Sequence, residues 1–259
     1  MQPLDFITDV ARSTGFLSRL PVPGRFFAGD DGRMDRTPGG FAVAGLVVAA
    51  LPALVLFLAG QSHAPLLAAT LASALMVALT GALHEDGLGD TADGLGGGRD
   101  RERALAIMKD SRIGSYGALA LGLSLLVRVG ALTSLLTNTT AGTAALSLLA
   151  CASLSRAGMV WHWRALPAAK PDGVAAKVGI PSRQALQLAV GSGVLLFVLL
   201  LLPVLSPAKL ALAVLAALLA ISLFTVHVGN RLGGHTGDTI GATQQISDMV
   251  LLSTLALLV

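Results

Sequence analysis

Seven apolar stretches of about membrane-spanning length constrain what this chain can fold into more than any other feature. They cover residues 40–60, 65–83, 116–136, 140–156, 186–205, 209–228 and 240–259. The hydrocarbon core of a bilayer is ~30 Å thick and needs about 20 apolar residues in an α-helix. The last stretch is the weakest, because Gln244, Gln245 and Asp248 interrupt its first half. The sequence therefore predicts an all-α, polytopic transmembrane helical bundle of about 6–7 spans.

The composition excludes several other classes of protein. Hydrophobic residues make up 54% of the chain and charged residues only 13%, whereas soluble domains carry about 25% charged residues. Aromatic residues are only 4%, which argues against an outer-membrane β-barrel with its aromatic girdles. A net charge of +3, dispersed along the chain, is too small for a nucleic-acid-binding surface. The single cysteine, Cys151, excludes a disulfide framework and any multi-cysteine metal site.

The charges between the apolar stretches indicate how the chain is oriented. The turns at 61–64, 137–139 and 203–208 carry no charge, whereas the other connections hold most of the Lys and Arg residues. By the positive-inside rule, the N-terminus and all long loops are cytoplasmic. Residues 1–39 lack the pattern of a signal peptide and are expected to form an N-terminal cytoplasmic or interfacial segment. Residues 40–259 are expected to form a single transmembrane helical domain.

The segment 84–94, which follows the second apolar stretch, concentrates four carboxylates within nine positions. Asp86, Asp90 and Asp93 stand at i, i+4 and i+7 and so share one helix face, whereas Glu85 points elsewhere. Three like charges repel one another unless a cation neutralises them, and carboxylate oxygens favour Mg²⁺, Mn²⁺ or Ca²⁺. The alternatives are an acidic loop facing water and a helix N-cap, although a cap explains only one of the acids.

Two further segments carry residues suited to phosphate or metal. Lys109 and Arg112 offer positive charge to phosphate oxygens, and Asp110 would orient Arg112 or bind metal. Basic residues in a cytoplasmic loop also follow from membrane topology alone. The glycine-rich turn at 233–242 opens a helix whose free N–H groups suit an anion. Within it, Asp238 is either a helix cap or an additional metal ligand.

Three side chains in or near the apolar stretches have structural interpretations. Arg128 lies inside the third stretch, where an ionised residue usually faces the bundle interior. Gating of a pathway and structural pairing with an acid both remain open for it. Trp161 and Trp163 are expected to form part of an interfacial aromatic belt.

Four motifs, spread over nearly the whole chain, carry a resemblance to a known family. They are the acidic segment 84–94, the Ile-Met-Lys-Asp-Ser-Arg-Ile-Gly string at 107–114, the turn at 233–238 and the Arg-Leu-Pro-Val-Pro segment at 19–23. Together they resemble the cobalamin synthase family, also called adenosylcobinamide-GDP ribazoletransferase. The resemblance implies a multi-pass enzyme of the bacterial inner membrane. Its active site would be cytoplasmic, in catalytic loops at 84–115 and 230–242.

The resemblance also implies substrates, a cofactor and site residues. The enzyme would join adenosylcobinamide-GDP to α-ribazole or its 5′-phosphate, giving adenosylcobalamin or its 5′-phosphate with release of GMP. Mg²⁺ would be the cofactor, and the residues expected to hold it are Asp86, Asp90, Asp93 and Asp238. The first three of these are also the expected catalytic residues. The expected substrate-binding residues are Arg19, Lys109, Asp110, Arg112 and Gly237.

A divalent-cation or vitamin transporter is the alternative from another class. It would also be polytopic, but it should place ionisable residues near the bilayer midplane and show repeats or broken helices there. The enzyme is favoured because most acids gather at one membrane face, beside arginines. CDP-alcohol phosphotransferases use similarly spaced aspartates, but this chain lacks their Asp-Gly-x-x-Ala-Arg continuation. The sequence leaves open whether the protein is a monomer or a homo-oligomer in the lipid bilayer.

Overall fold

The structure, a computed structural model, describes residues 3–29, 32–170 and 177–259. Within these ranges it is all-α, as predicted, and two short 3₁₀ turns, Gly24–Phe27 and Thr37–Gly40, precede the first apolar helix. Its ten α-helices are α1 (Pro3–Leu17), α2 (Phe41–Ala59), α3 (Pro65–Thr80), α4 (Leu83–Gly97), α5 (Arg101–Ile107), α6 (Ser115–Asn138), α7 (Ala141–Ala165), α8 (Arg183–Leu201), α9 (Pro207–Leu232) and α10 (Gly237–Leu257).

Each of the seven predicted stretches forms a helix, and these helices are α2, α3 and α6 to α10. Five of them, α2 and α6 to α9, are long and apolar enough to cross a membrane. The pair α3 and α4 passes the same test only when taken together, and counting that bent pair as one span gives six. The chain is therefore a multi-pass membrane protein with five or six candidate spans among the described residues, where the sequence predicted about 6–7. The helix α10, whose stretch was the weakest, is not among those that pass.

Two consecutive residues in the left-handed conformation separate α3 from α4. Gly81 has a φ of 62° and Ala82 a φ of 59°. Their amides donate to the carbonyl oxygens of Ala78, at 3.2 Å, and Val77, at 2.9 Å, which is the Schellman pattern that ends a helix. Glycine adopts this conformation freely, whereas Ala82 is strained in it. The break turns α4 by 88° from the direction of α3.

The helix α10 lies at the centre of the bundle and packs against α4, α6, α7 and α9. Leu132 of α6 and Leu252 of α10 are among the fully buried side chains of the main core, together with Leu56 of α2. Small residues let helices approach closely in a membrane. Where α2 meets α7, for example, a Cβ on Gly45 would overlap the carbonyl group of Ala152.

The connections between the helices form two groups. The short connections at 60–64 and 139–140 lie at one end of the bundle, since a Cβ on Gly60 would touch Leu136 and Ala141. The connection 202–206 lies at the same end, because α8 packs along α7 and begins beside its far end, where Arg164 donates to the Pro181 carbonyl. The long connections lie at the other end, with α4, α5 and the turn that precedes α10. The carboxylates of α4 and the glycine-rich turn are therefore brought to the same end.

Candidate active site

The acidic segment folds as most of α4, so its interpretation as a loop facing water is wrong. The region 84–115, expected as a loop, consists largely of α4 and α5. Asp86 is exposed, Asp90 is partly buried and Asp93 is buried. Glu85 is buried as well and contacts a different set of residues, as the helical spacing predicts.

A close crossing of α4 and α10 brings the two acidic segments together. A Cβ on Gly87 would lie 2.8 Å from the carbonyl oxygen of Asp238 and 3.3 Å from the Cα atom of Gly241. The lack of a side chain at Gly87 therefore lets the first turn of α10 rest on the backbone of α4. As a result, Asp86 and Asp238 line the same cavity.

The substitution Gly87→Ala is expected to lower both the melting temperature and the activity, because the new methyl group must push α10 away from α4. Overpacking of this kind typically costs about 1–3 kcal/mol. The matched control is Gly89→Ala, whose Cβ would be 3.5 Å from the Leu121 side chain, an ordinary contact. Thermal unfolding of both variants in detergent would check this. Equal melting temperatures would show that the crossing tolerates a side chain.

Asp90 shows that the carboxylates converge. Burial and the neighbouring charges of Asp86, Asp238 and Asp93 together raise its pKa to about 6. The pKa of a carboxyl group rises when other negative charges lie close to it. The residues predicted to form the metal site therefore lie close enough to influence one another electrostatically.

Asp93 has an additional role that the sequence did not reveal. Its Oδ2 atom accepts a hydrogen bond from the backbone amide of Gly114 at 2.7 Å, and its Oδ1 atom accepts one from Gly117 at 2.8 Å. These amides belong to the start of α6, where no side chain of α6 itself provides a cap. Asp93 thus caps α6 from α4 and fixes the end of the 107–114 string against the acidic helix.

Asp110 and Arg112 form an exposed, bidentate ion pair. The Arg112 Nε atom donates to Asp110 Oδ1 at 3.0 Å, and its Nη2 atom donates to Oδ2 at 2.7 Å. The guanidinium lowers the pKa of the Asp110 carboxyl to about 2. Of the two interpretations of Asp110, this geometry supports the orientation of Arg112.

The remaining predicted substrate-binding residues lie at the same end of the bundle in different settings. Lys109 is exposed beside Lys170, and its positive charge helps to lower the pKa of the Lys170 ammonium group after the effect of burial. Arg19 lies at the break before α4, since its amide donates to the Leu79 carbonyl at 2.7 Å and a Cβ on Gly81 would clash with its guanidinium. Gly237 lines the cavity that also contains Asp86 and Asp238.

The cap interpretation of Asp238 is wrong. The N-cap of α10 is Thr236, whose hydroxyl accepts a hydrogen bond from the Thr239 amide, and the Thr239 side chain completes a capping box. Asp238 stands within the first turn, where a negative charge interacts favourably with the helix dipole. Its carboxylate accepts a hydrogen bond from the Thr236 hydroxyl at 3.3 Å. Asp238 therefore remains available to a ligand.

The acidic residues suit a divalent cation in chemistry and position but do not form a closed site. Among the described residues, no three His, Cys, Asp or Glu side chains are gathered closely enough to hold a metal ion. Asp86, Asp90 and Asp238 nevertheless interact electrostatically, and hard oxygen ligands are those that Mg²⁺ prefers. An open set of this kind fits Mg²⁺, which keeps several waters and shares its coordination shell with substrate phosphates.

A buried ionic network, which the sequence did not reveal, supports α4 from inside the bundle. Arg128 of α6 contacts the carboxylates of Glu85, at 3.2 Å, and Asp248, at 3.3 Å. Its Nη2 atom also donates to the Gln245 side chain at 2.7 Å. Arg156 of α7 is fully buried at the same place, so that two positive and two negative charges balance. Arg128 is thus paired structurally.

Trp163 does not belong to an interfacial belt. Its side chain is only 3% exposed and lies in a core cluster with Phe41 and Ile240. Its ring and that of Trp161, two positions earlier, face different cavities. The sequence does not show this difference. Trp163 therefore joins the residues around the acidic end of α4.

The chain is similar over nearly its whole length to known proteins of one family. A family model described as cobalamin-5-phosphate synthase matches residues 9–256. Curated proteins named adenosylcobinamide-GDP ribazoletransferase are similar to the chain over nearly its whole length. The one from Sinorhizobium medicae is 52% identical, covering 98% of this chain and 97% of its own. Those from Rhizobium meliloti and Brucella anthropi are 53% and 42% identical, with at least 96% of each chain covered. No solved structure matches the chain.

Proposed function

The chain belongs to the cobalamin-5-phosphate synthase family, and we propose that it is the transferase that completes the nucleotide loop of adenosylcobalamin. It joins adenosylcobinamide-GDP to α-ribazole or to α-ribazole 5′-phosphate. The products are adenosylcobalamin, or its 5′-phosphate, and GMP. The single observation that best supports this activity is the convergence of Asp86, Asp90 and Asp238, on two crossing helices, at one end of the bundle.

The reaction transfers the cobinamide-bearing phosphoryl group from the diphosphate donor to an alcohol. A ribose hydroxyl oxygen of α-ribazole attacks the phosphorus atom that is bonded to cobinamide. The bond from that phosphorus to the bridging oxygen of the diphosphate breaks, and GMP leaves with the bridging oxygen. The hydroxyl proton passes to a carboxylate of the acidic set, which acts as the general base.

Some of the site residues bind the donor, and others stabilise the negative charge that develops on the leaving group. Asp86, Asp90, Asp93 and Asp238 are the proposed ligands of Mg²⁺. When bound there, Mg²⁺ would supply positive charge to the GMP leaving group. Lys109, Arg112 and Arg19 bind phosphate oxygens, and Asp110 holds the Arg112 guanidinium in a fixed direction. The open turn at Gly237 lets the substrate approach the first turn of α10.

The direct test is an assay of GMP release by the purified chain in detergent. We expect release from adenosylcobinamide-GDP only when α-ribazole or its 5′-phosphate and Mg²⁺ are also present. Removal of Mg²⁺ by a chelator should stop the reaction, and its return should restore it. Absence of GMP with all three components present would refute the proposed activity.

We place the active site on the cytoplasmic side of the bacterial inner membrane. The uncharged connections and the Lys-rich and Arg-rich connections lie at opposite ends of the bundle, which supports this orientation by the positive-inside rule. The expected result of labelling intact cells with a membrane-impermeant maleimide is reaction at Ser62→Cys and none at Gly97→Cys. Both positions are exposed, and the native Cys151 is fully buried. The opposite pattern would invert the topology.

Arg112→Lys should weaken donor binding, because lysine keeps the positive charge but cannot form the bidentate hydrogen bonds of a guanidinium. The Arg112–Asp110 pair is exposed, and such pairs add little to stability, so the amount of protein in the membrane should not change. We expect the KM for adenosylcobinamide-GDP to rise on the order of tenfold, which corresponds to one charge-assisted hydrogen bond. The control is Arg99→Lys, an exposed arginine outside this string. Equal kinetics for both variants would remove Arg112 from the site.

A further inference from the structure

A cavity of about 370 Å³ lies where α1, α4, α7 and α10 meet, directly beside the carboxylates. Most of its lining is apolar, and the large side chains include Phe16, Met34, Met159, Trp163 and Ile240. Cavities of this size, with apolar walls and a few polar groups, are typical of sites for small organic molecules. The shape and the lining therefore indicate a ligand that is largely hydrocarbon and aromatic.

The polar side chains of the cavity lie on α4, α7 and α10. Asp86 and Asp238 line it from the crossing of α4 and α10, and His84 lines it from α4, where its buried Nε2 atom has no hydrogen-bond partner among the described residues. Trp163 lines it from α7, and its buried indole Nε1 atom has no hydrogen-bond partner among the residues that the structure describes. A buried N–H group without an acceptor is unfavourable and is normally satisfied. Trp163 thus provides an unused donor on the α7 side of the cavity, where Met159 is the other lining residue.

From this geometry we propose that the cavity is the acceptor subsite and holds the dimethylbenzimidazole base of α-ribazole between Phe16 and Trp163. This assignment rests on the proposed function. The base is flat and mostly hydrocarbon, and its one free ring nitrogen accepts the hydrogen bond of the Trp163 N–H group. The ribose then points toward Asp86 and Asp238, where its hydroxyl group meets the carboxylates that remove the proton.

The other parts of the substrates do not suit this cavity. A guanine base presents several donors and acceptors along its edges, and the apolar side chains of the lining would leave them unpaired. A corrin ring with its amide side chains is far larger than the cavity. The diphosphate belongs with Mg²⁺ at the carboxylates, and the apolar walls of the cavity offer its oxygens no positive charge. The largely apolar lining, with the unused Trp163 donor and the His84 ring as its few neutral polar groups, therefore favours the benzimidazole over the other groups.

The chain contains two tryptophans, which makes the proposal testable without any turnover. Trp161 lines a different cavity between α7, α8 and α9. In the variant Trp161→Phe, Trp163 is the only fluorophore of its kind. Titration of this full-length variant with α-ribazole in detergent should produce a saturable change in tryptophan fluorescence. The same titration of Trp163→Phe, where only Trp161 remains, should produce none, and guanosine should have no effect on either variant.

Kinetics provide the second measurement and separate this proposal from the proposed function. Trp163→Phe keeps an aromatic ring but loses the donor, so the KM for α-ribazole should rise roughly fivefold, the effect of one neutral hydrogen bond. The KM for adenosylcobinamide-GDP should not change. Normal GMP release with no fluorescence response and no change in either KM would overturn the subsite while leaving the activity intact. A saturable response of Trp163 without any GMP release would support the subsite and overturn the activity.

Discussion

Replacement of Asp86 or Asp90 by asparagine is expected to reduce the rate of GMP release by a factor on the order of 10²–10³, the usual cost of losing one group that stabilises charge in the transition state. Asparagine keeps the size of the side chain but removes its negative charge. Because neither carboxylate is in the core of the bundle, the variants should accumulate in the membrane as the wild type does. Rates measured with saturating substrates and Mg²⁺ would check this.

The stability of the same variants provides an independent check of the metal. Burial and, after it, the neighbouring carboxylates raise the pKa of Asp90 to about 6, so removal of one charge relieves repulsion. Without Mg²⁺, the asparagine variants should therefore melt no lower than the wild type. Mg²⁺ should raise the melting temperature of the wild type more than that of the variants, because a ligand stabilises the state that binds it. Wild-type turnover with an equal Mg²⁺-dependent shift would contradict the metal site.

Asp93 and Asp100 lie in the same region, and replacing each by asparagine should have a different effect on stability and activity. Asp93→Asn should lose stability as well as activity, because an amide cannot accept from both the Gly114 and Gly117 backbone groups as the carboxylate does. Asp100 caps α5 by accepting from the Arg103 amide, and asparagine is a similar cap. Asp100→Asn should therefore leave both melting temperature and turnover close to those of the wild type.

The helices and the acidic face could be predicted because each depends on a pattern that is local in sequence. Runs of apolar residues predicted the seven long helices, and the i, i+4, i+7 spacing predicted the shared face of Asp86, Asp90 and Asp93. The position of Glu85 on another face followed from the same periodicity. The break at Gly81 and Ala82 was not predicted, because alanine rarely adopts the positive φ that Ala82 has here.

The partners of the buried residues could not be predicted because they lie far apart in the sequence. Gln245 Nε2 donates to Glu85 Oε1 across 160 positions, and Arg128 reaches Gln245 across 117. Trp163 was misassigned for the same reason, because its burial depends on how α1, α7 and α10 pack. A pattern of residues indicates that Arg128 must be paired, but only the fold determines its partner.

The ionic network leads to the second large expected effect. Arg128 and its partners Glu85 and Asp248 are each at most 6% exposed. Substitution of Arg128 by methionine keeps the length and the packing of the side chain but leaves two carboxylates facing Arg156 alone. Removal of one partner from a buried pair typically costs about 3–5 kcal/mol. A marked fall in melting temperature is therefore expected for Arg128→Met, whereas Arg183→Met, at an exposed arginine, should change it little.

The double variant Arg128→Met/Asp248→Asn distinguishes pairing from a direct role of Arg128 in a pathway. The second substitution restores the balance of charge, with Glu85 facing Arg156, so the double variant should be more stable than Arg128→Met alone. In a double-mutant cycle, the two substitutions should therefore be strongly non-additive. If Arg128 instead gated a pathway, the single variant would lose activity with an unchanged melting temperature, and Asp248→Asn would restore nothing. Because Glu85 immediately precedes Asp86 on α4, loss of this support should also displace the catalytic face, and GMP release should recover together with stability in the double variant.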